Sequence, residues 1–374
     1  MKKILSFVKK ELIQIRRDRR LLFVVLMAPI IQLIILGYAV SLDVKNIPTI
    51  VFDQDHSATS RRFLSEIFNS GYFQEVRLAR SWSEIQADLD YGRAKIAIVV
   101  PVNFERDLAS GQTVSIQTLF DGTDSQTASA GLNYLEMITQ MFGQKILIER
   151  LDSLTIKFRP VIVQPEVRVF FNPALLSRHY LLPGIFGLLL MVISVILTAM
   201  AIVKERDEGT MEQLVVTPLK PIEIIAGKLI PFFLIGTVDL GLILPLTTFW
   251  FKLPLRGSVG LLIGMSFLYM ISTLGLGLLI STLARTPQQA MLISFFFMIP
   301  MILLSGFVFP IENMPRFFQW LTAIIPLRYY LVILRGLFLK GVGFNSIESQ
   351  SLRLFILALV INTFGLLSFH RRLD

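Results

Sequence analysis

The chain has 374 residues, 53% of them hydrophobic and only 17% charged, with no Cys and a formal net charge of +9. Soluble domains carry roughly 25% charged residues, so this balance is that of a membrane protein, and the absence of Cys excludes a disulfide framework and thiolate metal sites. The charge is no nucleic-acid signal either: residues 43–177 hold 13 Lys/Arg against 16 Asp/Glu, a net of −3, and much of the basic excess flanks apolar runs, as in proteins oriented by cytoplasmic positive charge.

Residues 1–20 place Ile4, Leu5, Val8, Leu12 and Ile15 on one helical stripe, with eight Lys/Arg on the other faces. Such an amphipathic helix lies in the headgroup plane on the cytoplasmic side. Residues 21–42 form an uncharged run long enough to span a bilayer, and longer than the apolar core of a cleaved signal peptide. Residues 43–177 are different material. Strands are expected at Ile47–Phe52, Gln74–Leu78, Ala94–Val100, Val114–Phe120 and Val161–Phe171. Helices are expected at Thr59–Asn69, Trp82–Tyr91, Phe104–Ala109 and from about Ser125 to Leu151. The alternation suggests one compact α/β or α+β domain, which an insertion between the first two spans puts on the extracytoplasmic side. The turn Asp121–Asp124 (DGTD) reads as a helix cap in preference to a cation site.

Residues 178–374 carry five further spans: Leu181–Val203, Leu229–Phe251, Val259–Ala284, Ala290–Phe309 and Ser351–Phe369. The fold class is therefore a polytopic α-helical membrane protein with six transmembrane helices and an inserted extracytoplasmic α/β domain. Six spans place both termini in the cytoplasm. Lys252 and Arg256, in a short outer connection, run against the charge rule. Residues 310–350, broken by Pro315 and Pro326 and carrying Arg328 and Arg335, read either as a re-entrant outer segment or as an interfacial hairpin.

The loop 204–228 packs nine charges into twenty-five residues between two apolar runs. Glu205 to Val216 can form a short helix, stopped by Pro218 and Pro221. Such a helix is a handle by which a cytoplasmic motor could move two spans; the alternative is an ordinary solvated loop. The chain lacks GxxxxGK[ST], and Gly227-Lys228 has neither the upstream glycine nor the following hydroxyl, so no phosphate-cradling ATP loop is present. No HExxH, GxSxG or paired-carboxylate arrangement occurs, and the three His are far apart, so neither an enzyme site nor a metal site is expected. Asp239 is the one acid inside an apolar span. It reads as a candidate translocation-path residue or as an interhelical hydrogen-bonding group. Gly275 and Gly277 permit close helix approach, with a substrate groove as the second reading.

Taken in order, these residues resemble the permease subunits of type-2 ABC exporters, in the subgroup with a large extracytoplasmic domain after the first span. The resemblance runs nearly end to end. It begins with Glu11, Arg17-Asp18, Pro29 and Gly37-Tyr38, and continues through Phe52-Asp53, Ser70-Gly71-Tyr72, Pro101, Phe104 and Asp121-Gly122. The hinge supplies Glu205, Gly209-Thr210, Glu212, Thr217-Pro218 and Gly227-Lys228. Ser305-Gly306, Pro310, Met314-Pro315, Pro326, Arg328-Tyr329 and Gly341 complete it.

The resemblance implies a half-transporter that works in the inner membrane as a dimer, with a second copy or a paralogue, and with a separate ABC ATP-binding subunit that holds ATP and Mg. The chain itself would bind no cofactor. Glu205, Arg206, Gly209, Thr210, Glu212, Leu214, Thr217 and Pro218 would couple to that ATPase, together with Glu11, Arg17 and Asp18 of the N-terminal helix. Asp239, Gly275, Gly277, Ser305 and Gly306 are candidates for the translocation path. Met314, Pro315, Pro326, Arg328 and Tyr329 would belong to a re-entrant segment that closes the outer side. Substrates in such a family are drugs, lipids and other amphiphiles, and some members use a periplasmic adaptor and an outer-membrane channel. A membrane-anchored sensor or adaptor with an extracytoplasmic ligand-binding domain is the rival reading, which six spans and a coupling-type hinge oppose.

Overall fold

The structure is a computed structural model, and it describes residues 2–39, 44–153, 170–173, 176–209 and 221–370. The chain divides into two compact units, residues 43–167 and the remainder. The remainder begins with α1 (Lys2–Arg17) and α2 (Arg19–Ala39).

The 43–167 unit is built on β1 (Ile47–Asp53), α3 (Ala58–Asn69), β2 (Phe73–Leu78), α4 (Trp82–Asp90), β3 (Ile96–Val100), α5 (Phe104–Ser110), β4 (Gln117–Phe120) and α6 (Ser125–Ser153). Its sheet has the order β2-β1-β3-β4, with β1 parallel to both β2 and β3, and β4 antiparallel to β3. Period-2 alternation gives each central strand two apolar faces. Ile47, Val51, Ile96, Ile98 and Val100 pack with Phe63 and Ile67 of α3 and Leu135 and Phe142 of α6. Ile50, Ala97 and Val99 pack with Ile85 of α4. The strand expected at Val114–Phe120 is shorter than its alternation suggested, starting at Gln117. The strand expected at Val161–Phe171 lies mostly outside the described residues.

The DGTD turn caps α6: Asp124 accepts from the backbone N–H of Thr127 at 3.1 Å, while Asp121 accepts from Thr123 and from Lys95 Nζ at 2.6 Å. The Lys95 bond, with help from Thr123, holds the Asp121 carboxyl down at about 2. An unfolded carboxyl titrates near about 3.9, so the stabilisation is complete above that pH and is lost as the pH falls toward about 2. Hydrogen exchange of β3 and β4 in the full chain should be faster in Asp121→Asn than in wild type at pH 5, with the gap narrowing by pH about 3. A gap that ignores pH would mean that the charge on Asp121 contributes nothing.

The helical unit continues with α7 (Ser177–Asp207), α8 (Pro221–Pro245), α9 (Val259–Leu283), α10 (Pro287–Leu304), α11 (Arg316–Leu321), α12 (Pro326–Arg335) and α13 (Phe344–His370). Among the described residues, five helices are long and apolar enough to cross a membrane: Ser177–Asp207, Ile222–Trp250, Val259–Leu283, Pro287–Leu304 and Phe344–His370. The pair Arg316–Ile324 and Pro326–Lys340, bent by 87°, makes up to a sixth, and α2 adds a shorter apolar stretch, Val25–Ala39. The protein is thus helical and membrane-like, with a small mixed sheet. Helix α7 is the hub of this unit: Phe186, Leu189 and Leu190 are buried against Tyr269 and Met270 of α9 and Leu327, Tyr330 and Leu334 of α12. Tyr269 and Tyr330 stack at 4.1 Å, and Ser266 and Tyr330 share a 2.6 Å hydrogen bond, so the polar atoms of this aromatic core are satisfied. Helix α8 contains Pro231 and ends at Pro245, where the chain runs on as a π-helical turn, Leu246–Trp250.

Several boundaries depart from the sequence reading, among them the start of α8, which lies at Pro221 and not at Leu229. Helix α7 does not stop at Val203 but runs through Asp207, ending where Gly209 takes up φ 70°. The short helix expected from Glu205 is therefore the tail of α7 as far as Asp207, and its continuation to Val216 lies outside the described residues. Helix α10 ends at Leu304, short of Phe309, and α13 begins at Phe344, not Ser351, because exposed polar residues ride its first turns.

Candidate functional site: the charged end of the helical bundle

The end of the bundle formed by the α7 C-terminus and the α8 N-terminus also receives α1 and the last turn of α9. Glu205 and Lys228 form an ion pair with side chains only 11% and 3% exposed. A desolvated pair of this kind joins α7 to α8, since separating it would leave a charge in an apolar setting. Helix α1 covers the pair. Phe7 lies where a Cβ on Gly227 would stand, so the glycine is required for this approach. The Lys228 ammonium sits 5.9 Å from the centre of the Phe7 ring, and Glu11, itself buried, is near enough to act on Lys228 electrostatically. Arg206 reaches the other way. Its guanidinium donates to the carbonyls of Ser281 and Ala284 at the end of α9, where helix carbonyls lack intrahelical partners and carry partial negative charge. Two adjacent residues of α7 therefore hold α8 and α9, while α1 clamps the outside.

Of the residues expected to couple to an ATPase, Glu205 and Arg206 are thus engaged inside the bundle, and Gly209 ends α7. Thr210, Glu212, Leu214, Thr217 and Pro218 lie outside the described residues. The charges left facing water on this end of α7 are Lys204, Asp207 and Glu208, with Lys204 and Glu208 3.8 Å apart. On α1, Glu11 is buried, whereas Arg17 is exposed and Asp18 marks the break where its carbonyl accepts from Leu22 at the start of α2.

The middle of the bundle holds Asp239, fully buried on α8, with neither carboxylate oxygen hydrogen-bonded among the described residues. Gly275 and Gly277 seat neighbours on two sides of α9: Gly275 faces Asn362 of α13, and Gly277 faces Thr198 and the Val195 carbonyl of α7. At the other end, Gly306, at φ 84°, offers its carbonyl to Arg335, whose two terminal nitrogens each donate at 3.2 Å while the guanidinium lies 3.8 Å over the Tyr180 ring. The neighbouring Ser305 hydroxyl returns to the Ile302 carbonyl. In the bent segment Met314 accepts from Gln319, Arg328 reaches Gln319 and Thr322, Pro326 opens α12, and Tyr329 donates to Ala323 at 2.8 Å. The bend that follows Pro315 is thereby tied by its own side chains.

Sequence reasoning did not single out Phe7, Lys228 as a partner of Glu205, or the Arg335–Gly306–Tyr180 cluster. The usable signals were a lone Lys inside an apolar helix, at Lys228, and an Arg at the end of an apolar segment, at Arg335, each of which needs a partner if buried.

A bundle of long apolar helices, gathered at one end by buried charges and with exposed charges beyond them, is that of a multi-pass membrane protein. The family model for the ABC-2 family transporter protein matches residues 19–369, and the chain belongs to that family. Among its relatives, the "Probable multidrug ABC transporter permease YbhR" of Escherichia coli (strain K12) is 29% identical over 98% of either chain. The "Probable multidrug ABC transporter permease YbhS" of the same strain is 33% identical over 89% of this chain and 87% of its own length. The "Linearmycin resistance permease protein LnrN" of Bacillus subtilis (strain 168) is 23% identical over 93% and 94%. The chain is a permease component of an ABC transporter, and ATP hydrolysis belongs to a separate subunit.

Proposed function

We propose that this permease exports amphiphilic compounds, drugs or lipids, from the cytoplasm or inner leaflet, working as a dimer in the inner membrane with both termini cytoplasmic. The ATP-binding subunit docks on the charged end of the bundle, through exposed Lys204, Asp207 and Glu208, the loop carrying Glu212 and the face of α1 that bears Arg17. The unit at 43–167 then lies on the extracytoplasmic side, where an adaptor and outer-membrane channel would take over in a two-membrane cell. One observation carries the reading: Glu205–Lys228 and Arg206–Ala284 link α7 to α8 and α9, so a force applied at one loop moves three helices together. The names of two relatives, which refer to multidrug transport, and of a third, which refers to linearmycin resistance, agree with drugs among the substrates.

Exposed Glu208 and the loop residue Glu212 test this better than the buried pair, whose loss would disturb packing. In Glu208→Lys/Glu212→Lys, membrane insertion and thermal stability should match wild type while co-purification of the ATP-binding subunit is lost. Normal co-purification would remove the docking role.

A further inference from the structure

Pro245 has no N–H, and the chain beyond it continues as a π-helical turn closed by Phe251 N–H to Leu246 (3.2 Å) and Leu253 N–H to Thr247 (3.2 Å). The turn leaves Lys252 at φ 54°, in the left-handed region that a side chain rarely adopts. Beside it opens a groove of about 680 Å³ walled by Leu244, Pro245, Phe249, Leu253 and Val259, with Lys252 at its edge. The groove is apolar apart from Lys252 and Thr248, and the Thr248 hydroxyl is already spent on the Leu244 carbonyl at 2.9 Å. Its outer wall is the 82% exposed Phe249, a lipid-facing residue in a membrane-spanning chain. Next to it Trp250 donates to the Tyr38 hydroxyl at 3.2 Å, and such paired amphipathic rings favour the headgroup level of a bilayer.

Charge identifies the occupant. Lys252 and Arg256 form no ion pair with a described acid, and neither does Lys340, whose turn is joined to theirs by Arg256 N–H to Phe338 (3.2 Å) and Gly257 N–H to Leu337 (2.8 Å). Lys252 at the edge of an apolar, lipid-facing groove, with Arg256 and Lys340 on the two joined turns beside it, complements one amphiphile: an acyl chain in the groove and a phosphate with net negative charge at its edge. We propose that this groove binds an anionic phospholipid of the surrounding bilayer, with the Lys252 ammonium as the headgroup contact. The proposal gives Lys252 and Arg256 a use at the end of the bundle opposite Lys228, where cytoplasmic positive charge does not account for them. It does not depend on what the transporter carries.

The full-length chain in mild detergent, examined by native mass spectrometry with phosphatidylglycerol and phosphatidylcholine of matched acyl chains, provides the test. Wild type should retain phosphatidylglycerol in preference, Lys252→Gln should lower that retention about fivefold, and Lys252→Arg should keep it. Val259→Trp, which fills the groove, should lower retention of both lipids. Equal retention by wild type and Lys252→Gln would overturn the assignment, as would indifference to Val259→Trp. Displacement of the lipid by a stoichiometric anilinonaphthalene sulfonate dye would also overturn it, in favour of a transport subsite.

Discussion

Replacing Lys228 by Ala should destabilise the helical unit by roughly 3–5 kcal/mol, because the Glu205 carboxylate would stay buried without its counter-charge. The Lys228 side chain is only 3% exposed and that of Glu205 only 11%, so water cannot take over the missing interaction without opening the α7–α8 contact. The measurement is thermal unfolding of the purified chain, read alongside the yield of folded protein. The double variant Glu205→Gln/Lys228→Met removes both charges and should recover most of the loss, since an apolar isostere often replaces a buried pair at little cost. If Lys228→Ala melts with wild type, the pair contributes nothing and the linkage of α7 to α8 must be sought elsewhere.

Asp239 should behave in the opposite sense. Its carboxylate is fully buried and neither oxygen has a hydrogen-bond partner among the described residues, so the group costs free energy where it stands. Asp239→Leu should therefore raise stability by about 1–3 kcal/mol while reducing substrate-stimulated ATPase activity of the assembled transporter, with Asp239→Asn intermediate. A stabilised variant with full transport would show that the acid serves nothing in the cycle. A destabilised one would show that it is a packing partner. Buried, unpartnered acids in membrane helices are retained at a cost, and stability rising as function falls is the signature of such a residue.

The parts of this molecule that could be read from its sequence are those set by local pattern. Apolar runs located the long helices and the buried strand β3, alternation located β4, and the turn Asp121–Asp124 located the cap of α6. Pro315 and Pro326 announced a broken segment, although the 87° bend is set by Arg328, Thr322 and Tyr329, none of which has a local signature. The rest is non-local. Glu205 and Lys228 lie on either side of a charged loop, and nothing in that loop says that these two of its charges turn inward. Phe7 lies off the stripe Ile4, Leu5, Val8, Leu12 and Ile15 read from the sequence, and only its seat on Gly227 shows that it faces inward. Likewise the sheet order β2-β1-β3-β4 depends on which strands meet, and four strands with similar faces do not encode that in their own residues.

The prolines of α8 bear on how motion could travel through the molecule. Pro231 and Pro245 lack N–H groups, so the carbonyls four residues earlier, at Gly227 and Gly241, lose their helical rungs. Lys228 stands just before the first weakened joint, and Asp239 lies in the rigid section between the two. If the ATP-binding subunit acts at this end as proposed, a torque reaching Lys228 would be turned at Pro231 into a change of angle, and a tilt of the middle section, rather than a slide of the whole rod, would carry Asp239 from one set of neighbours to another.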